Sequence, residues 1–303
     1  MTFHNNLSHK NLFNKLKNNK NKNDKDKNKN TYFLVKMING LTYINNSIIE
    51  NIVSQNINDE EIYKLLRKEY LKLLEKNNEI KDNKDNKDKK QIQKKEEKID
   101  FKTVRAIRMV DKVSEIIQKN KITFNNKVFV DIGCGDGSIT KQFCQKYNFD
   151  KCICVDIDNW LDTYTSQKEK GIELVIRKSN ENIINLSNDF ADVIMCFHSL
   201  HHMANLHETL QEIARITKKN GLLIIKEHNV YYPDASYMID IYHAIYELVF
   251  KDNNYEKFNK EYYSQYFSDK ETYSFLKKLG YEIINYTYDG GPLKNYIAIY
   301  KKV

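Results

Sequence analysis

The chain predicts an α/β protein built on a doubly wound sheet, and three stretches carry that expectation. Residues 128–137, Val-Phe-Val-Asp-Ile-Gly-Cys-Gly-Asp-Gly, run from a short apolar strand through an acid into alternating glycines and then a helical pattern. Lys151-Cys-Ile-Cys-Val-Asp156 reads as a second buried strand whose closing acid falls nineteen residues after Gly137. Two alternating runs, Tyr281 to Tyr288 and Lys294 to Lys301, meet around Gly290-Gly291-Pro292 and read as a terminal antiparallel hairpin.

Ahead of these stretches, composition divides the chain. Residues 1–30 are dominated by Asn and Lys and residues 76–99 by Lys, Asp, Asn and Glu, too polar to offset the chain entropy lost on ordering. Both are expected to be disordered, as a tail and a charged linker. They account for the whole formal charge of +8, because residues 1–30 carry a net +6 and residues 76–99 a net +3. The remainder is near −1 and has no overall basic field. Flexible basic arms could still hold a polyanion by counterion release. Between them, residues 31–75 predict a helical segment, with Ile62, Leu65, Leu66, Tyr70, Leu71, Leu73 and Leu74 on a broad apolar face and Asn58-Asp59 as its cap. This segment is too small for a domain and is expected to form a helical hairpin that docks on the rest of the chain or on a partner.

The remaining residues, 100–303, read as one domain. Phe101 to Gln118 forms a lead-in helix with Val104, Ile107, Val110, Val113 and Ile117 on one side and Arg105 and Arg108 on its surface. Phe190 to Phe197 is a further strand, His207 to Lys219 a helix with Leu210, Ile213 and Ile216 at helical spacing, and Gly221 to Glu227 another strand. An insertion over residues 229–267, rich in Tyr and His, gives Ile239, Ile241, Ile245 and Leu248 a helical core face before a last helix at Asp269 to Leu279. The five cysteines include no C-x-x-C pair and are expected as buried reduced thiols in a reducing compartment. With no signal peptide and no apolar run of membrane-spanning length, a soluble cytoplasmic protein is expected.

The glycine turn discriminates among ligands. A phosphate-binding P-loop needs a Gly-Lys pair, and Ser138-Ile-Thr140 follows Gly137 instead. A dinucleotide fingerprint needs its third small residue where Ser138 stands, and here the third glycine comes one position early. The remaining pattern, acid-x-Gly-x-Gly-x-Gly at Asp131, Gly133, Gly135 and Gly137, resembles motif I of the class I S-adenosylmethionine-dependent methyltransferases. The resemblance covers roughly residues 100–303. It implies a seven-stranded, mostly parallel sheet closed by an antiparallel hairpin, with S-adenosylmethionine as the cofactor.

By the same resemblance, Asp131 and the three glycines hold the donor's amino-acid end. Asp156 takes the ribose, Asp158 is the neighbour that could substitute, and Ile157 flanks the adenine. Asn180 or Asn182 contacts the adenine amino group, and Phe197 closes the cofactor set. Ligands of open α/β sheets bind beyond the carboxyl ends of the strands, which nominates His198, His201, His202 and Glu227 for catalysis, with His228 beside them. His198-Ser-Leu-His201-His202 resembles the leucine-histidine-histidine segment of small-molecule and lipid methyltransferases. A zinc reading of His198, His202, His228 and Glu227 lacks a clear third ligand, so no metal is expected. Neither an Asn/Asp-Pro-Pro-Tyr/Phe motif nor a Lys-Asp-Lys-Glu set is present, which disfavours base-amino and cap-ribose methylation. The expected function is methyl transfer to an O, N or C atom of an unidentified acceptor, with a small molecule slightly ahead. RNA or protein acceptors, an inactive scaffold acting through the N-terminal segment, and a nicotinamide oxidoreductase are the alternatives.

Overall fold

A computed structural model describes residues 11–17, 24–88, 101–124, 127–157, 172–176, 183–231, 233–290 and 294–303. In chain order the first helices are α1 (Leu12–Lys17), α2 (Asp24–Thr42), α3 (Asn46–Ser54), α4 (Asp59–Asp88) and α5 (Phe101–Lys119). There follow α6 (Ser138–Lys146), α7 (Leu206–Ile216), α8 (Pro233–Ala244), α9 (Tyr255–Glu261) and α10 (Asp269–Lys278). The strands are β1 (Val128–Ile132), β2 (Lys151–Asp156), β3 (Ile172–Ile176), β4 (Ala191–Phe197), β5 (Thr217–His228), β6 (Tyr281–Gly290) and β7 (Asn295–Lys302). The chain divides into two units, one comprising Lys98–Val230 and Gln265–Val303, the other Phe3–Glu97 and Tyr231–Ser264.

The first unit is the α/β unit. Its sheet runs β3-β2-β1-β4-β5-β7-β6. The pairs β1–β2, β1–β4, β2–β3 and β4–β5 are parallel, whereas β7 is antiparallel to both β5 and β6. Period-two alternation sorts the central strands between two cores. Val130, Ile132, Ile153, Val155, Ile194, Cys196, Leu223 and Ile225 pack with Leu210 and Ile213 of α7 and Leu276 of α10. Phe129, Cys152, Val193, Met195 and Ile224 pack with Val110, Val113 and Ile117 of α5 and Phe143 of α6. Burial on both faces is the reason these parallel strands read as near-continuous apolar runs. The strand order reverses between β1 and β4, so the crevice at their carboxyl ends is the position where such sheets bind ligands.

Phe197, at the carboxyl end of β4, packs in the second core with Val110 and Val113, because its parity along the strand puts it on that face. Other expectations need correction. The helix expected to reach Lys219 ends at Ile216, since Thr217 pairs with Ala191 and begins β5. The expected seven-stranded sheet implies a third strand to which no stretch of sequence is assigned, and it is β3. Cys144 and Cys152 form a disulfide between α6 and β2, so the expectation of five reduced thiols fails there, while Cys134, Cys154 and Cys196 are free and buried. The two cysteines lie 8 residues apart in sequence, and packing of α6 beside β2 brings their Cα atoms to 6.7 Å.

The second unit joins the N-terminal helices to the residues inserted after β5. Asn30 Nδ2 donates to Asp234 at 2.9 Å, Arg67 Nη1 donates to the Val249 carbonyl at 2.6 Å, and Tyr70 lies against Phe250 with ring centroids 4.9 Å apart. The N-terminal segment and the insertion therefore build one helical unit. Ile239, Ile241, Ile245 and Leu248 are buried, as their spacing predicts. Asn58 caps α4 by accepting from the Glu61 amide at 3.0 Å. Composition misread two places. Residues 11–17 form α1 with Leu12, Phe13 and Leu16 buried, Phe13 lying 5.4 Å from the Tyr63 ring, so a few apolar residues anchor a polar stretch. Residues 24–30 belong to α2, and α4 continues through the expected linker to Asp88. Conversely, Leu71 and Leu74 are 40 % exposed, whereas Ile62 and Leu66 of the expected apolar face are buried. Residues 1–10, 18–23 and 89–100 of the expected basic arms lie outside the described residues. No helix among the described residues is long and apolar enough to cross a membrane.

Candidate active site

The turn after β1 is set by backbone conformation. Gly133, Gly135 and Gly137 have φ of +72°, +54° and +68°, a region that L side chains rarely adopt. The Gly133 amide donates to the Val155 carbonyl at 2.7 Å and the Gly135 amide to Asp156 Oδ2 at 2.8 Å, so the turn is stitched to the end of β2. A Cβ on Gly133 would lie 2.4 Å from the Cβ of Ser199. Ser199 is itself fixed by donating from Oγ to the Ile132 carbonyl at 3.0 Å. A Cβ on Gly135 would meet nothing within 4 Å. One glycine thus allows the segment after β4 to press against the turn, and the other leaves open room over the backbone.

Two carboxylates lie at this turn. Asp131 is buried and accepts from Thr140 Oγ1 at 2.5 Å. Burial pushes its pKa up to about 7, against the Thr140 hydrogen bond, with the negative charge of Asp156 adding to the rise. Asp156 is half-buried and also accepts from the Ile157 amide at 2.8 Å, and the Ile157 side chain is exposed. Mutual repulsion between two acids makes the turn receptive to a ligand that brings positive charge, as the sulfonium and ammonium of S-adenosylmethionine do. The residues present therefore fit that donor: room at Gly135, negative charge at Asp131 and Asp156, and the amino end of α6. Asp158, Asn180 and Asn182 lie outside the described residues.

Beside the turn, the ends of β4 and β5 bring together four histidines and a glutamate. His198 stands just after β4 at φ +49°, uncommon for a residue other than glycine, and its amide donates to the Lys226 carbonyl at 2.7 Å. A short 3₁₀ turn at Leu200–His202 then buries His201 and leaves His202 exposed. His201 Nδ1 lies 2.7 Å from Glu227 Oε1, which also accepts from the His228 amide at 2.8 Å. Ring centroids separate His198 from His228 by 4.7 Å, His201 from His228 by 5.0 Å and His201 from His202 by 4.0 Å. Tyr266 stacks on His201 at 5.7 Å, and the Gln265 amide donates to the His201 carbonyl at 2.8 Å. Gln265 Nε2 also donates to the Met203 carbonyl.

Burial governs the charges in this cluster. It holds His198 and His201 well below the usual imidazole range and pushes the Glu227 carboxyl up. His198 is further lowered by positive charge on His228, Lys226, His201 and Arg105. Lys226 is itself lowered to about 8 by burial and by Lys112 and Arg105. Arg105, on the lead-in helix, thus acts on the cluster through its charge. His198, His201 and Glu227 are brought into one cluster as the sequence suggested, and His202 borders it. Thr140, Ser199 and Gln265 were missed, because each acts through a tertiary hydrogen bond that no local spacing encodes.

A family profile described as a methyltransferase domain matches residues 60–286. The chain is 28 % identical over 102 residues to the uncharacterized methyltransferase YcgJ of Bacillus subtilis, a match covering 33 % of this chain and 40 % of that protein. It is 26 % identical over 188 residues to a ubiquinone biosynthesis O-methyltransferase of Rickettsia canadensis, covering 61 % of this chain and 75 % of that protein. Among solved structures, a SAM-dependent methyltransferase from Methanosarcina mazei superposes with a TM-score of 0.48 at 15 % identity, over 62 % of this chain and 97 % of that one.

The two glycines should separate in urea denaturation. Gly133→Ala combines a strained φ with overlap on Ser199 and should cost about 3 kcal/mol or more, whereas Gly135→Ala carries only the backbone term of about 1–2 kcal/mol. Asp131 gives a pH test. Its folded pKa of about 7 lies above that of an unfolded aspartate, so its stabilising contribution is complete below about pH 4 and is lost as pH rises through 7. The stability of the ligand-free chain minus that of Asp131→Asn should fall across that window, measured by denaturant titration at successive pH values.

Proposed function

This chain belongs to the class I S-adenosylmethionine-dependent methyltransferase family, and on that premise we propose that it transfers the methyl group to a hydroxyl oxygen of a small molecule. It is an enzyme, and S-adenosylmethionine is its cofactor. When bound, the donor supplies an electrophilic methyl carbon on a sulfonium. In this reading the glycine turn and Asp156 hold the donor, with Ile157 beside the adenine. Asp131, with its pKa raised to about 7, ionises beneath the turn as the donor's positive charge arrives.

The observation that carries the acceptor assignment is the buried 2.7 Å contact between His201 Nδ1 and Glu227 Oε1 at the ends of β4 and β5. Methyl transfer to an already nucleophilic amine requires little beyond alignment, but a hydroxyl must lose its proton. A glutamate on Nδ1 orients the ring and stabilises the imidazolium formed when Nε2 takes that proton, the arrangement by which buried carboxylates support histidine bases. Ser199, bonded to Ile132, ties this segment to the donor turn. The name of the Rickettsia relative, an O-methyltransferase of ubiquinone biosynthesis, points to the same class of acceptor.

Two measurements test the assignment. Asp156→Ala should bind S-adenosylmethionine at least about tenfold more weakly by calorimetry, consistent with loss of a charge-assisted hydrogen bond, while its circular dichroism matches wild type. An unchanged affinity would remove Asp156 from the donor site. His201→Ala should lower transfer from labelled donor to hydroxylated small molecules by about 10²- to 10⁴-fold, the range of general base catalysis, with donor affinity intact. Full turnover in that variant would remove the histidine from proton transfer.

A further inference from the structure

We propose that His198, Glu227 and His228 form a binding site for a divalent transition-metal ion at the carboxyl ends of β4 and β5. Each residue offers one ligand atom, and these atoms all lie within 4.8 Å of one another. Tetrahedral ligand bonds of about 2.0–2.2 Å, as zinc makes to imidazole nitrogen and carboxylate oxygen, place donor atoms about 3.3–3.6 Å apart, so side-chain rotations that draw the set in by about an ångström close it. Two imidazoles and one carboxylate form a borderline-soft N₂O set suited to zinc or iron(II) rather than to calcium or magnesium.

Three further observations point to a ligand. Glu227 is 94 % buried by its 6 % exposure, yet its Oε2 has no hydrogen-bond partner among the described residues, and the same holds for His198 Nδ1. Leaving such a carboxylate oxygen dry costs free energy that a cation would recover. His198 also holds φ +49°, a strained conformation for a residue with a β-carbon, retained here beside the His228 ring. Finally, the other oxygen of Glu227 is already oriented, by the His201 ring at 2.7 Å and the His228 amide at 2.8 Å. An outer partner that fixes a ligating carboxylate is a regular feature of metal sites. The sequence names these three residues together with His202 but offers no clear third ligand, because His198 and Glu227 are brought together only by the pairing of β4 with β5, in which Phe197 lies opposite Lys226.

Three protein ligands leave at least one coordination position for an outside oxygen, as catalytic sites do and closed structural sites do not. If the acceptor is a hydroxyl, which rests on the preceding reading, that oxygen would be its own, and the ion would ease its deprotonation. Ion binding itself is independent of the reading. The test uses the full chain, stripped with chelator, checked for fold by circular dichroism, and titrated with Zn²⁺ by calorimetry and with Co²⁺ by visible spectroscopy. One ion per chain is expected, with d–d bands for Co²⁺ and hyperfine-shifted imidazole proton resonances from two histidines. His198→Ala and His228→Ala should each weaken Zn²⁺ binding by at least about tenfold. His207→Ala, an exposed histidine on α7, should leave it unchanged. A folded, stripped chain that takes up neither ion overturns the site. So do variants that bind as wild type, or a Co²⁺ form without two shifted imidazoles. Failure of these readouts would leave the methyl-transfer assignment standing, since none of them measures turnover.

Discussion

The close approach of the Gly133 backbone to Ser199 is the constraint on which the site depends. β1 and β4 are neighbours in the sheet, and each ends in a segment that must turn at the same edge. Only a residue without a side chain lets those segments meet, since a Cβ at position 133 would overlap Ser199 by more than an ångström relative to ordinary contact. Once they meet, Ser199 bonds to Ile132, and the histidine-rich turn that follows is placed beside the donor turn without a flexible linker between them. In the proposed reading, donor holding and acceptor chemistry are products of a single packing event.

The electrostatics at that edge follow from burial. Asp131 is held toward its neutral form next to a second acid, which prepares the turn for positive charge. A short distance along the sheet edge, His198 and His201 are kept neutral and Glu227 carries a raised pKa, so the cluster presents lone pairs more than fixed charge. Neutral imidazoles oriented by a carboxylate suit both proton acceptance and metal ligation, and the two proposed roles fall on different rings: His201 for the proton, His198 and His228 for the ion.

Much of this was legible in the sequence because it was local. The strand-glycine-helix run places Asp131 and the glycine turn directly, and the parity of apolar residues in β4 and β5 foretells burial on both faces. What was not legible required partners distant in sequence. Thr140 and Ser199 are ordinary residues until the fold brings Asp131 and Ile132 to them. Composition also failed at residues 11–17, where Leu12, Phe13 and Leu16 bury enough apolar surface to anchor a helix inside a polar tract. Assigning the inserted residues 231–264 to the same unit as the N-terminal helices needed contacts such as Asn30 with Asp234, which no periodicity announces.

The central claim, that one edge of the sheet holds the donor and its reaction partner together, is tested most directly by hydrogen exchange of the full chain with and without S-adenosylhomocysteine. The account predicts slowed exchange at residues 133–137, 155–157 and 198–202, with little change along β6 and β7. Protection confined to the helical unit, or none at the glycine turn at saturating ligand, would contradict it.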